Sequence, residues 1–131
     1  MTVAAPSNTA RMVVRNGPLL GPVLARVIGM LAARAQCPID RLDDALLVAD
    51  TVAAHGPDHA LNGTVVVALA AEEGQLELTI GALRPQGGSA LLADAELPGV
   101  GNVLERVADA VEVREDGKGG EELHIRLGFA T

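Results

Sequence analysis

Short valine-rich runs and longer stretches with apolar residues three and four apart follow one another along the chain. Ala10 to Arg15 is apolar and β-branched, which predicts a strand closed by Gly17-Pro18, with Gly21-Pro22 just beyond. From Leu24 to Ala35, Leu24, Val27, Ile28 and Leu31 recur at helical spacing while Arg26 and Arg34 fall on other faces. Pro38 stops that helix. Asp40 is then the expected N-cap of a second helix, with Asp43 three residues on in a capping-box-like position. Leu42, Leu46, Val48, Val52 and Ala53 supply its apolar surface, and Gly56-Pro57 is expected to end it near Ala54.

Thr64 to Ala70 reads as a strand, Glu73-Gly74 as a turn and Leu76 to Ile80 as the hairpin partner, with Glu77 and Thr79 alternating outward. Arg84 to Gly101 carries Pro85, Gly87-Gly88 and Pro98, and is expected to be a long loop with a short helical piece from Ser89 to Asp94. Val103 to Ala110 predicts a helix, Val111 to Arg114 a strand, Asp116 to Gly120 a glycine-rich turn and Leu123 to Leu127 a closing strand. Strands that arrive in hairpins, with helices kept apart, imply an α+β two-layer sandwich with a mixed, mainly antiparallel sheet and helices on one face. One domain over residues 1–131, with its core from about residue 10 to 127, is the matching expectation.

Composition narrows the chemistry. Phe129 is the one aromatic residue, so the core is aliphatic and recognition by aromatic stacking is excluded. The net charge is −7, with one Lys, nine Arg and no basic cluster, which excludes a phosphate-neutralising nucleic-acid face. Cys37 stands alone, so neither a disulfide framework nor a cysteine metal site is expected. Met1 to Ala10 has no basic stretch followed by an apolar run, and charged residues interrupt every apolar stretch before about 20 residues. A cytoplasmic chain with neither leader peptide nor membrane span is therefore expected.

The order of elements and three segments resemble the GHKL superfamily of ATPases, and within it the anti-sigma-factor serine kinases of actinobacteria. The segment LDDALLVADTVAAHGP, from Leu42 to Pro57, is similar to the family's N-box helix. The resemblance puts Asp50 where the family has a general-base Glu, and Ala54 where it has the Asn that holds magnesium. The segment LELTIGALRPQGG, from Leu76 to Gly88, stands in place of the Asp-x-Gly-x-Gly box. There the adenine-reading Asp falls on Ala82 and the two glycines fall near Arg84 and Gln86. LPGVGNVLERVADAVEV resembles the second glycine box and its helix, with Gly99 and Gly101 well matched. The ending GGEELHIRL is similar to the family's terminal strand without its Gly-Thr pair.

The family implies ATP and magnesium as cofactors, but Ala54 and Ala82 offer them no ligand. A hydrogen bond to a charged group is worth roughly 1.5–3 kcal/mol. Losing the adenine-reading Asp alone therefore costs about ten- to a hundredfold in affinity. The expectation is a regulatory protein-binding domain with lost or very weak ATP binding, and no resident cofactor or metal. The resemblance implies a sigma factor or its antagonist as partner, and a homodimer. The alternatives are an active ATP-dependent serine/threonine kinase using Asp50, and a small-molecule sensor in the vacated pocket. Gly99-Val100-Gly101 suits a phosphate cradle at a helix start, and equally a tight loop. Arg84 and Arg106 are candidates to contact an anion or to stay solvated. His55 and His59 are four apart, but Gly56-Pro57 between them is expected to break the helix that would align them on a metal. Leu24, Val27 and Leu31 of the arginine-studded first helix are the candidate partner surface.

Overall fold

The computed structural model describes residues 8–129. The elements run β1 (Thr9–Arg15), α1 (Leu20–Arg34), α2 (Ile39–His59), a 3-10 turn (Leu61–Gly63), β2 (Thr64–Glu72) and β3 (Gln75–Leu83). They continue with α3 (Gly87–Asp94), β4 (Glu96–Leu97), β5 (Gly101–Asn102), α4 (Val103–Val107), β6 (Ala110–Glu115) and β7 (Glu121–Gly128). The main sheet has the order β1-β2-β3-β7-β6, and every pairing in it is antiparallel, so the expected parallel pair is absent. The expectation of no leader peptide rests mostly on residues 1–7, which lie outside the described residues.

Strict alternation explains why the sheet is one-sided. Val65, Val67, Leu69 and Ala71 of β2 and Leu76, Leu78 and Ile80 of β3 point to one face and are buried. Leu123, Ile125 and Leu127 of β7 join them, and the helices cover that face. Arg11, Val13, Ala68, Glu77 and Arg126 belong to the opposite face and are exposed. No polar or charged side chain among the described residues is buried.

α1 begins earlier than the periodicity predicts, because Pro22 sits in the first turn, where its missing N–H would have had no partner. It ends in a Schellman motif: Cys37 N–H donates to Ala32 O and Gln36 N–H to Ala33 O. Gln36 occupies the left-handed position at φ 60°. The N-cap of α2 is Pro38 rather than Asp40, which lies in the first turn and makes no capping bond. α2 also runs through Gly56-Pro57 to His59, overturning the expected stop at Ala54. Gly56 faces the sheet, where a Cβ would lie 3.6–3.9 Å from Val52 and Val65. Pro57 costs one backbone bond near the helix end without breaking the helix.

The helical piece expected from Ser89 to Asp94 is α3, which begins two residues earlier, and the loop expected after it forms the small β4–β5 hairpin. α4 stops at Val107 instead of Ala110, and Ala110 opens β6. Across the helical layer, α1 lies over β1 and β2, α2 over β2 and β3, and α3 and α4 over the β7–β6 side. Arg41 anchors the start of α2: it donates to Val107 O, pairs with Asp44 at 3.5 Å and lies 6.0 Å from the centre of the Phe129 ring.

The turn into β7 is set by a close backbone approach. A Cβ on Gly120 would overlap the carbonyl oxygen of Leu83 and come 2.9 Å from Asp116 Oδ2. Gly120→Ala is therefore expected to destabilise the protein by about 2 kcal/mol, the usual scale of overpacking. Thermal unfolding should show this as a fall in Tm of roughly 5–10 °C.

Candidate functional site

α2, α3 and the β4–β5 hairpin enclose a shallow groove of about 220 Å³. Leu47, Asp50, Thr51 and Ala54 line it from α2, with Asp94, Ala95, Leu97 and Val103 opposite. α3 is held there by three polar contacts. At its start, Gly88 N–H and Ser89 N–H donate to one Glu121 oxygen at 3.0 and 3.2 Å. This carboxylate satisfies amides that have no helical partner and sits at the positive end of the helix. At its end, Asp94 Oδ2 meets His59 Nε2 at 2.6 Å, with His55 Nδ1 at 4.0 Å. Asn102 donates to Leu92 O at 2.8 Å and accepts from Glu105 N–H at 3.2 Å, joining α3 to α4.

The glycines of α3 make its close seating possible. A Cβ on Gly87 would lie 3.0 Å from the Leu83 side chain and 3.1 Å from His59 O. On Gly88 it would meet Val113 at 3.0 Å. The Gly87-Gly88 pair thus seats α3 against β3, α2 and β6, where the resemblance had looked for a nucleotide-binding box.

Of the residues singled out in the sequence, the structure brings together Asp50 and Ala54. Both are exposed, one turn apart on α2, and both line the groove. Ala82 is elsewhere: it lines a hollow on the open face of the sheet with Arg11, Thr79, Lys118 and Glu122. The cause is an irregularity in register between Ile80 and Leu83, which buries both of these residues although they are an odd number apart. Gly99 and Gly101 have φ of 77° and 94° and turn the β4–β5 hairpin, with open space at both. Val100 N–H is engaged by Leu97 O and Val100 O by Arg106, so the turn is closed on itself. Arg84 donates to Asp58 O.

The expected partner surface is corrected. Leu24 and Leu31 belong to the stripe of α1 that packs into the core, at 0% and 3% exposure, and Val27 is half-buried. The large apolar residues exposed here are Leu19, the N-cap of α1, and Val23 and Met30 within it, at 68%, 40% and 53%. Arg26 and Arg34 share that outward face. The Asn102-x-x-Glu105 cap and the Glu121 clamp were also missed. The first has a visible capping-box pattern, whereas no local signal could reveal a contact that spans 33 residues.

Electrostatics in the groove disfavour phosphate. Its lining includes two carboxylates and neither Lys nor Arg, and its volume falls below the roughly 300–1,000 Å³ typical of ligand pockets. The residues present do not fit a magnesium–nucleotide. His55 and His59 are aligned after all, because α2 is continuous, yet among the described residues no group of three His, Cys, Asp or Glu is placed to hold a metal ion. Elsewhere, burial pushes the Cys37 thiol above its ordinary pKa. The hydrogen-bonded Arg114 guanidinium holds the Glu112 carboxyl below its own. No helix among the described residues is long and apolar enough to cross a membrane.

The architecture is an α+β sandwich of the kind expected from the GHKL resemblance, with a five-stranded antiparallel sheet under one layer of helices. A solved structure with this fold is that of the RsbU and RsbW domains of Rv1364c from Mycobacterium tuberculosis. It matches over 97% of this chain with a TM-score of 0.59 and 18% identity. This chain spans 36% of that one, about a third of its length. No protein-family model matches the chain. A search of curated proteins gives no match either.

Removing the clamp should loosen α3. Glu121→Ala leaves the amides of Gly88 and Ser89 without their acceptor, a loss comparable to deleting a helix cap, about 1 kcal/mol. The expected result is a lower urea midpoint with an unchanged slope. Amide exchange should be faster at residues 88–92 than in β2 and β3.

Proposed function

We propose that this chain is a regulatory protein-binding domain, related in shape to anti-sigma-factor kinases, that works by contact rather than by phosphoryl transfer. The observation that carries this reading is the groove beside α2. The position equated with the magnesium-holding Asn is Ala54, the rim bears Asp50 and Asp94, and the volume is small for a nucleotide. Asp50 is a carboxylate without a substrate to deprotonate. α1 and its N-cap meanwhile offer Leu19, Val23 and Met30 beside Arg26 and Arg34, an apolar and cationic face on a chain of net charge −7. Exposed apolar patches with a charged border are the usual mark of protein contact. The partner class suggested by the resemblance, and by the RsbW domain in the solved neighbour, is a sigma factor or the antagonist that competes with it.

Calorimetric titration with ATP, with and without magnesium, tests the first half of this reading. No binding heat is expected up to about 1 mM, the weak end of the affinity scale. Micromolar binding that needs magnesium, with phosphoryl transfer that is lost in Asp50→Ala, would transfer the conclusion to an active kinase. Pull-down with candidate sigma factors tests the second half. Met30→Glu should weaken capture at least about tenfold, which corresponds to 1.4 kcal/mol, with no change in Tm.

A further inference from the structure

The two edges of the main sheet differ in charge. At one edge, β6 carries Glu112 and Arg114, which pair with each other at 2.8 Å. At the other, β1 presents Arg11, Val13 and Arg15 on the open face of the sheet; all three are exposed, Val13 at 56%. Neither arginine makes an ion pair among the described residues, and the β2 residues directly opposite them are Ala68 and Thr64.

The backbone of β1 is open along the same line. Asn8 O accepts from Ala71 N–H at 2.8 Å, and Asn16 N–H donates to Gly63 O at 2.8 Å. In an antiparallel ladder with this register, the even-numbered residues of β1 therefore bond to β2. The N–H and C=O of Arg11, Val13 and Arg15 point the other way, and no other element among the described residues takes them. The register is unbroken over all seven residues, with neither a bulge nor a proline to blunt the edge. On the helical side of the strand, Val14 is half-buried at the margin of the core and Met12 is buried.

We propose that this edge takes an extended acidic segment of another protein as a sixth strand. The pleat dictates its pattern. Three alternate residues of the segment lie beside Arg15, Val13 and Arg11, and the two between them turn to the helical side beside Val14 and Met12. Opposite charges directly across a ladder attract and like charges repel. The matching occupant is thus acidic at both ends of a five-residue stretch and aliphatic between. Main-chain bonds supply the affinity and the side-chain pattern the selectivity, as in other cases of strand addition. A second copy of β1 is the wrong occupant, because antiparallel pairing about Val13 sets Arg11 against Arg15 at both ends. The surface is separate from the outward face of α1, so the inference goes beyond the contact proposed there and does not depend on it.

Fluorescence anisotropy of a labelled Ser-Glu-Val-Val-Val-Glu-Ser peptide, titrated with the full chain, tests this. A dissociation constant of about 100 μM is expected, and the same peptide with Lys in place of both Glu should bind at least about tenfold more weakly. Arg11→Glu combined with Arg15→Glu is expected to invert that preference, an outcome that misfolding does not produce. Val13→Pro removes one outward donor while leaving the ladder to β2 intact. It should weaken binding about tenfold with little change in Tm. Amide exchange at Arg11, Val13 and Arg15 should slow when the acidic peptide is added to wild type. No binding of the acidic peptide at about 1 mM would mean that the arginines only discourage aggregation, and would overturn the proposal. Equal binding of the two peptides, or a charge preference without any effect of Val13→Pro on affinity or of peptide on amide exchange, would overturn it as well. Neither of these results touches the Met30-dependent capture, and loss of that capture leaves the peptide titration unchanged.

Discussion

The fold depends on an aliphatic core that contains no polar anchor. Among the described residues every buried side chain is Ala, Val, Leu, Ile or Met, apart from Phe129 and the glycines. Dispersion and water exclusion are non-directional, so they do not by themselves fix where a helix lies on a flat aliphatic sheet. Shape has to do this, and the close-approach glycines provide it. Gly56 lets α2 settle on Val65, Gly87 and Gly88 let α3 meet Leu83 and Val113, and Gly120 lets the last turn cross the carbonyl of Leu83. The directional contacts lie at the edge of the core, in Glu121 with the α3 amides, Asp94 with His59, and Arg41 with Val107 and Asp44.

That arrangement also explains the character of the groove. Seating α3 on α2 and β7 places Leu91 and Ala95, both buried, beside α2. The amide donors at the start of α3 are spent on Glu121, and the turn at Gly99 to Gly101 is closed by Leu97 and Arg106. Backbone groups that could have met an external anion are thus already engaged within the chain. What is left open to solvent is the outer side of the helical layer, with its opposed charges on α1 and α2.

The strands were legible in the sequence because they are rich in β-branched and aliphatic residues, with aliphatic–polar alternation clearest in β3 and β7. The cores of α1 and α2 were legible from their spacing. What escaped was whatever depended on a distant neighbour. Gly56-Pro57 reads locally as a helix stop, yet α2 continues because Gly56 packs on Val65 of the sheet. Between Arg84 and Gly101 the helical piece was legible from Ser89 to Asp94, but its start at Gly87 was not, because the acceptor for its first amides is Glu121 on β7. Ala82 was misplaced because the register irregularity after Ile80 moves one residue to the other side, a change invisible in composition. On α1, apolar residues occupy both faces of the helix. The periodicity located Leu24 and Leu31 correctly on one stripe, but which stripe met the core could not be decided without α2 beside it.

The position of β7 has a consequence for how the chain is made. This strand follows every other strand of the sheet in the sequence, yet it lies between β3 and β6 and also carries the carboxylate that holds α3. As the polypeptide leaves the ribosome, β1, α1, α2 and the β2–β3 hairpin can collapse early on neighbouring segments. β6 has no strand to pair with until residues 121–128 emerge, and α3 waits for the same segment. A nascent chain that has reached only residue 120 therefore has an unpaired β3 edge. Such species attract chaperones and each other. Pairing of this eight-residue strand joins β6 to the rest of the sheet.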